Sequence, residues 1–207
     1  MMRFLLVCVL LMCAMPSTAS ITDYVVKQWN IKDGLPSQSL KSVVQDNQGY
    51  MWLGTQFGLS RFDGNTFTNY NTQNSLFLPS NGINKLLIDG QGLLWIGTKN
   101  GLVVIDPEKL TAQEFNIKGP VRDILEDSKG SIWIAANGLY YIDRGQIELR
   151  DQLNNPSPIV NATAITQIVG SVSKMALSPE GIWLVNDRNL LRLTQSASDF
   201  SKLRLEL

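Results

Sequence analysis

The apolar residues of this chain fall in short runs, and a polar turn closes each one. Val43-Val44, Leu86-Leu87-Ile88 and Ile124-Leu125 run into Asp46-Asn47-Gln48-Gly49, Asp89-Gly90-Gln91-Gly92 and Asp127-Ser128-Lys129-Gly130. Asp accepts hydrogen bonds from nearby backbone N–H groups and Gly takes positive φ, so each tetrapeptide predicts a tight hairpin turn. Past the turn, residues 51–55 and 94–98 carry β-branched and aromatic side chains in a strand pattern. A second turn, Gln56-Phe57-Gly58 or Lys99-Asn100-Gly101, leads into residues 59–63 or 102–106. Three consecutive antiparallel strands follow, and residues 67–70, 114–117 and 146–150 offer a fourth, outer strand. Residues 121–127 taken alone fit a helical turn, but their alignment with the other segments predicts a strand.

These units repeat. Residues 37–64 read SQSLKSVVQDNQGYMWLGTQFGLSRFDG and residues 80–107 read SNGINKLLIDGQGLLWIGTKNGLVVIDP, with ten of the 28 ungapped positions identical. A third copy spans residues 118–145 and a weaker fourth spans 171–195. Trp52, Trp95, Trp133 and Trp183 mark the register at spacings of 43, 38 and 50 residues. Repeats of about 40–50 residues with four strands each predict an all-β propeller with about four blades present. In each repeat the Trp is expected to fill the space between neighbouring sheets. Gly54 and Gly97, two residues later, are expected to let blades approach closely. Ala135 and Val185 stand at that position in the third and fourth copies, so those blades are expected to pack differently.

Residues 24–31, YVVKQWNI, have the pattern of an outer strand with no inner strands of their own. Propellers close their ring by such a strand, which removes an exposed sheet edge. Residues 200–207 offer the fourth blade a competing outer strand. We therefore expect an incomplete ring over residues 20–207, with a closed four-bladed ring as the alternative.

The run Gly34-Leu35-Pro36-Ser37, then Val43-Val44-Gln45-Asp46, Gly49, Trp52-Leu53-Gly54-Thr55, Gly58-Leu59 and Phe62-Asp63-Gly64, resembles the two-component regulator propeller repeat of bacterial sensors. Leu78-Pro79-Ser80-Asn81 opens the pattern again, through Trp95-Ile96-Gly97-Thr98 and Gly101-Leu102. The third copy keeps Asp127, Gly130, Trp133 and Gly138-Leu139; the fourth keeps little beyond Gly181 and Trp183. The resemblance implies a seven-bladed ring outside the cytoplasmic membrane, coupled to a histidine kinase or diguanylate cyclase output, with breakdown products of polysaccharides among its ligands.

The first twenty residues add a location. Arg3 is a short positive region, residues 4–15 are apolar, and Pro16, Ser17, Thr18 and Ala19 form a small-residue end, so residues 1–19 read as a cleaved export signal. Twelve apolar residues are too few to span a bilayer, which needs about 20. Both cysteines, Cys8 and Cys13, lie inside this segment, which suits a periplasmic or secreted protein without disulfides. No membrane span is expected in the mature chain.

Charge and chemistry narrow the function. Eighteen basic and eighteen acidic residues balance, with no like-charge run, which argues against a nucleic-acid partner. The sequence has no histidine, which removes a histidine phosphoacceptor, a Ser-His-Asp triad and histidine-ligated zinc. The repeated Asp46 motif is one residue longer between Asp and Gly than the Asp box of sialidases, and its recurrence in three blades marks a turn role. It also lacks the later acidic ligand of a calcium loop. We expect no catalytic residues, no metal and no cofactor in this chain. The partners expected are a small-molecule or oligosaccharide ligand, and further propeller blades or a second receptor subunit. The alternative is a small secreted carbohydrate-binding or carbohydrate-active propeller with paired acids in its channel. Ligand contacts belong on loops of several blades, yet turn positions such as Gln56, Phe57, Lys99 and Asn100 differ among blades and single out no contact set.

Overall fold

A computed structural model describes residues 25–117, 119–150, 159–165, 168, 170–187 and 189–194, and the backbone of 204–206. The export signal lies outside the described residues. The described residues form four sheets that succeed one another as blades, antiparallel apart from one short parallel pair. Blade one comprises β1 (Leu40–Gln45), β2 (Met51–Thr55), β3 (Gly58–Phe62) and β4 (Phe67–Tyr70). Blade two comprises β5 (Ile83–Ile88), β6 (Leu94–Thr98), β7 (Gly101–Ile105) and β8 (Ala112–Asn116). Blade three is built from β9 (Asp123–Glu126), β10 (Ile132–Ala136), β11 (Gly138–Ile142) and, after β12 (Val160–Asn161), β13 (Thr163–Ile165). Blade four holds β14 (Val172–Ser178), β15 (Gly181–Asn186), β16 (Asn189–Thr194) and β17 (Arg204–Glu206).

The recurring aspartate does more than cap a turn. In blade two one Asp89 carboxylate oxygen accepts from the backbone N–H of Gln91 and of Leu93, and the other accepts from the Trp95 indole at 2.8 Å. Asp46 holds Trp52 in the same way at 2.7 Å, and Asp127 holds Trp133 at 2.9 Å. The turn and the inter-blade tryptophan are thus one unit, with the indole N–H satisfied as its ring is buried. Trp52, Trp95 and Trp133 are all at most 1% exposed. Each faces the following blade: Trp52 packs with Ile83 and Ile96, Trp95 with Ile132 and Ile134, and Trp133 with Ile182 and Leu184.

The expected close approach at glycine also holds. A Cβ on Gly54 would lie 2.6 Å from Ile83 Cγ2, and one on Gly97 would lie 2.5 Å from Val121 Cγ1. Ala135 is fully buried against blade four, whereas Val185 is 36% exposed. Trp183 departs from its three counterparts: it is half-buried, with the Arg192 guanidinium 5.4 Å from its ring centre.

Two strand expectations are corrected. Residues 25–30 form no strand, and Ile31–Asp33 is a short 3-10 turn capped by Asn30, whose side chain accepts from the Lys32 N–H. The segment straps the outer edge of blade one instead. Trp29 meets Phe62 edge-on at 5.0 Å, and the Asn69 amide donates to the Gly34 carbonyl. Residues 146–150 are not the outer strand of blade three either. Asp143 caps a 3-10 turn at Arg144–Gln146 and turns the chain away, so that Arg150 bridges Ala112 of blade two. β12 then lies parallel to β8, and β13 returns to supply the outer strand beside β11. For residues 200–207, the backbone of 204–206 pairs with β16, as expected for the outer strand of blade four.

The turn after β3 offers a pH probe. The Thr66 backbone N–H, its hydroxyl and the Asn65 N–H donate to Asp63 and hold its carboxyl at about 2. A depressed folded pKa stabilises the fold above the ordinary carboxylate value of about 3.9, and that contribution disappears as pH falls through the folded value. A carbon-13 NMR titration of the Asp63 carboxyl should give a midpoint near 2, and Thr66→Val should raise it.

Candidate functional site

The aspartate turns and the β3–β4-type turns share one end of the blades. The β2–β3-type turns and the links between blades share the other. At this second end the inner strands carry the same irregularity: pairing slips between Leu40 and Ser42 in β1, between Ile83 and Lys85 in β5, and between Val172 and Lys174 in β14. Each slip is a β-bulge, which re-aims a side chain out of the regular pleat. The bulged residues are Lys41, Asn84 and Ser173; Arg122 holds the corresponding place before β9.

Three of these residues, from three consecutive blades, meet. Asn84, Arg122 and Ser173, with Lys99, Pro120 and Lys174, line an open hollow of about 550 Å³. That volume lies within the range of about 300–1,000 Å³ typical of small-molecule sites. The wall is well anchored. The Asn84 amide donates to the Val121 carbonyl at 3.0 Å, and the Ser173 hydroxyl donates to the Val185 carbonyl at 3.3 Å. Both terminal nitrogens of Arg122 donate to Asn137 Oδ1 at 3.1 Å. Just inside the rim, Lys85 pairs with the buried Asp123 at 2.8 Å, and Asp123 also accepts from the Met175 backbone N–H.

The opposite end holds the repeat's acids, and these are occupied. Asp46, Asp89 and Asp127 each accept from two backbone N–H groups and an indole. Arg144 of blade three spans to Asp89 of blade two at 3.3 Å and also pairs with Glu126. Among the described residues, no three His, Cys, Asp or Glu side chains are grouped to hold a metal ion.

Sequence reasoning named Lys99 only as a variable turn position, and it missed Asn84, Arg122, Ser173 and Lys174. The available signal was positional. These residues occupy the same two places in each repeat, just after the blade link, where the apolar pattern is not enforced. Gln56 and Phe57 stand on the same end of blade one but do not line the hollow.

Comparison with known proteins adds a family match over three segments of the chain. Residues 34–57, 78–100 and 117–138 match the two component regulator propeller model. A stretch of 52 residues is 40% identical to histidine kinase P4 of Formosa agariphila, covering 25% of this chain and 4% of that protein. In fold the chain is similar to the extracellular domain of hybrid two component system BT3049 from B. thetaiotaomicron, at 18% identity and a TM-score of 0.65, covering 87% of this chain and 26% of that one. It is also similar to virginiamycin B lyase from Staphylococcus aureus, at 18% identity and a TM-score of 0.54, over 80% of this chain and 54% of that one. At such identities the structural likeness concerns the propeller fold. No helix among the described residues is long and apolar enough to cross a membrane.

Proposed function

We propose that this chain, a two-component regulator propeller protein, is part of the extracytoplasmic sensing region of a bacterial receptor, and that the hollow at the bulged end receives its ligand. The observation that carries the reading is the convergence of Asn84, Arg122 and Ser173, each delivered by an equivalent position of a different blade, on one concave wall. Regular β-pairing would turn such residues along the pleat; the bulges present them to solvent together. The repeat's aspartates, in contrast, are tied up in turns and indole contacts, which favours recognition over acid–base chemistry in this chain.

The partners proposed are a small-molecule or oligosaccharide ligand and further blades. The front of blade one exposes Val43 (54%), and the back of blade four exposes Val185 (36%) and Leu190 (58%), positions that blades two and three bury against each other. Further blades, toward a ring of seven, cover these faces in the receptor. Residues 20–207 alone should therefore self-associate, and sedimentation velocity should show mass rising with concentration.

The location is tested by joining alkaline phosphatase behind Leu207 and expressing the fusion in a bacterium. The reporter folds only where its disulfides can form. Active enzyme is expected; an inactive, cytoplasmic fusion of intact length overturns the extracytoplasmic reading.

A further inference from the structure

We infer that the hollow at the bulged end selects an anionic ligand, a small molecule carrying a carboxylate or sulfate group. The inference rests on the reading of this hollow as the sensing site and adds the charge of what it senses. Three of the six lining residues are cationic, Lys99, Arg122 and Lys174, and none is acidic. This asymmetry arises in a chain whose charges balance at eighteen of each sign, so it is a local arrangement and not a consequence of composition.

The cations are also uncompensated. Among the described residues Lys99, Arg122 and Lys174 form no ion pair. The nearby acid, Asp123, is engaged by Lys85 at 2.8 Å and by the Met175 N–H at 3.0 Å, which leaves it little capacity to neutralise the wall. Arg122 is oriented by a neutral partner: its two terminal nitrogens share Asn137 Oδ1, and one also reaches the Pro120 carbonyl at 3.5 Å. Such an anchor fixes the guanidinium plane without discharging it, and leaves other N–H donors of the fork for an incoming oxygen. Like charges gathered on one concave wall repel one another, and an anion in their midst relieves the repulsion.

The neutral part of the wall limits what kind of anion fits. Asn84 and Ser173 spend donors on backbone carbonyls, yet retain the amide oxygen and the hydroxyl lone pairs as acceptors. A ligand with hydroxyl groups beside its acid group matches both halves of the wall. The hollow draws on three blades but is confined to six residues, so it lacks the long basic stripe that a nucleic-acid backbone requires.

The test is calorimetric titration of residues 20–207 with D-glucuronate, sodium sulfate and, as the uncharged control, D-glucose at low ionic strength. Saturable binding of glucuronate is expected, with competition by sulfate and no competition by glucose. Lys99→Gln with Lys174→Gln should weaken it at least tenfold, since both side chains are exposed and their removal leaves the fold intact. Lys109→Gln, at the opposite end, should change it less than twofold. Arg122→Lys should weaken binding while preserving the charge, because the planar fork is lost. No saturation by either anion, or equal affinity in the Lys99/Lys174 variant, overturns the inference. Either result leaves the sensor reading standing, because export and receptor membership are decided by separate measurements.

Discussion

Trp95→Ala should lower the unfolding free energy by about 4 kcal/mol or more, the largest loss expected from a single change in this chain. Truncating a fully buried Trp costs about 3–5 kcal/mol through lost burial and the cavity left behind. Trp95 is fully buried in the packing between blades two and three. The change also takes the indole donor from Asp89, which is 4% exposed, so a buried carboxylate oxygen loses a bond; an orphaned buried group adds about 1–3 kcal/mol. Arg144, 3.3 Å from the same oxygen, limits that second loss. Trp183→Ala removes the same residue type at the same repeat position but should cost less than about 1.5 kcal/mol, because that indole is only half-buried. Urea unfolding followed by circular dichroism distinguishes the two. Asp89→Ala should cost about 3 kcal/mol, and the double variant less than the sum, since both side chains serve one connection. Equal costs at residues 95 and 183 would contradict the inter-blade role.

Gly97→Val should be the second large effect, about 3 kcal/mol. Its Cβ alone would meet Val121 Cγ1 at 2.5 Å, Val121 Cβ at 3.1 Å and Ile124 Cδ1 at 3.2 Å. Val121 is fully buried and Ile124 is 3% exposed, so neither can swing into solvent. Overpacking of this kind costs about 1–3 kcal/mol, and the two further methyl groups of valine push toward the upper end. The remedy is local. Gly97→Ala combined with Val121→Ala should recover at least about 1 kcal/mol relative to the sum of the single changes, as the new methyl fills the space the old ones leave. Blade three already accepts a methyl group there, with Ala135 packed among Val172, Ile182 and Leu184. Denaturant midpoints of the four proteins in this cycle provide the measurement; strict additivity would show that the two residues do not share space.

Much of this was legible in sequence because it repeats. Asp-x-x-Gly followed by Trp sets a hairpin, its partner strand and the inter-blade filling at once, and it recurs at Asp46, Asp89 and Asp127. The link between Asp and Trp was not legible. Five residues lie between them in sequence, and only the antiparallel turn brings carboxylate and indole together. The outer strand of blade three was misplaced because residues 146–150 have the right spacing while the Asp143 cap redirects the chain before they can pair. Residues 24–31 read as a strand, yet the Asn30 cap turns the chain at Ile31–Asp33 and the Trp29–Phe62 contact makes a strap of residues 25–34. The hollow escaped notice for the opposite reason. Its residues do not repeat: Asn84, Arg122 and Ser173 share a place in the blade but no chemistry. Repetition reveals scaffold, whereas recognition is written in the positions where repeats differ.

The most direct test of the receptor role is to read the genomic DNA past the codon for Leu207. The frame should continue through more Trp-Gly repeats into a membrane helix and a kinase or cyclase. A stop codon at that point, with no related frame downstream, would contradict the receptor role and leave a small secreted binding propeller in its place.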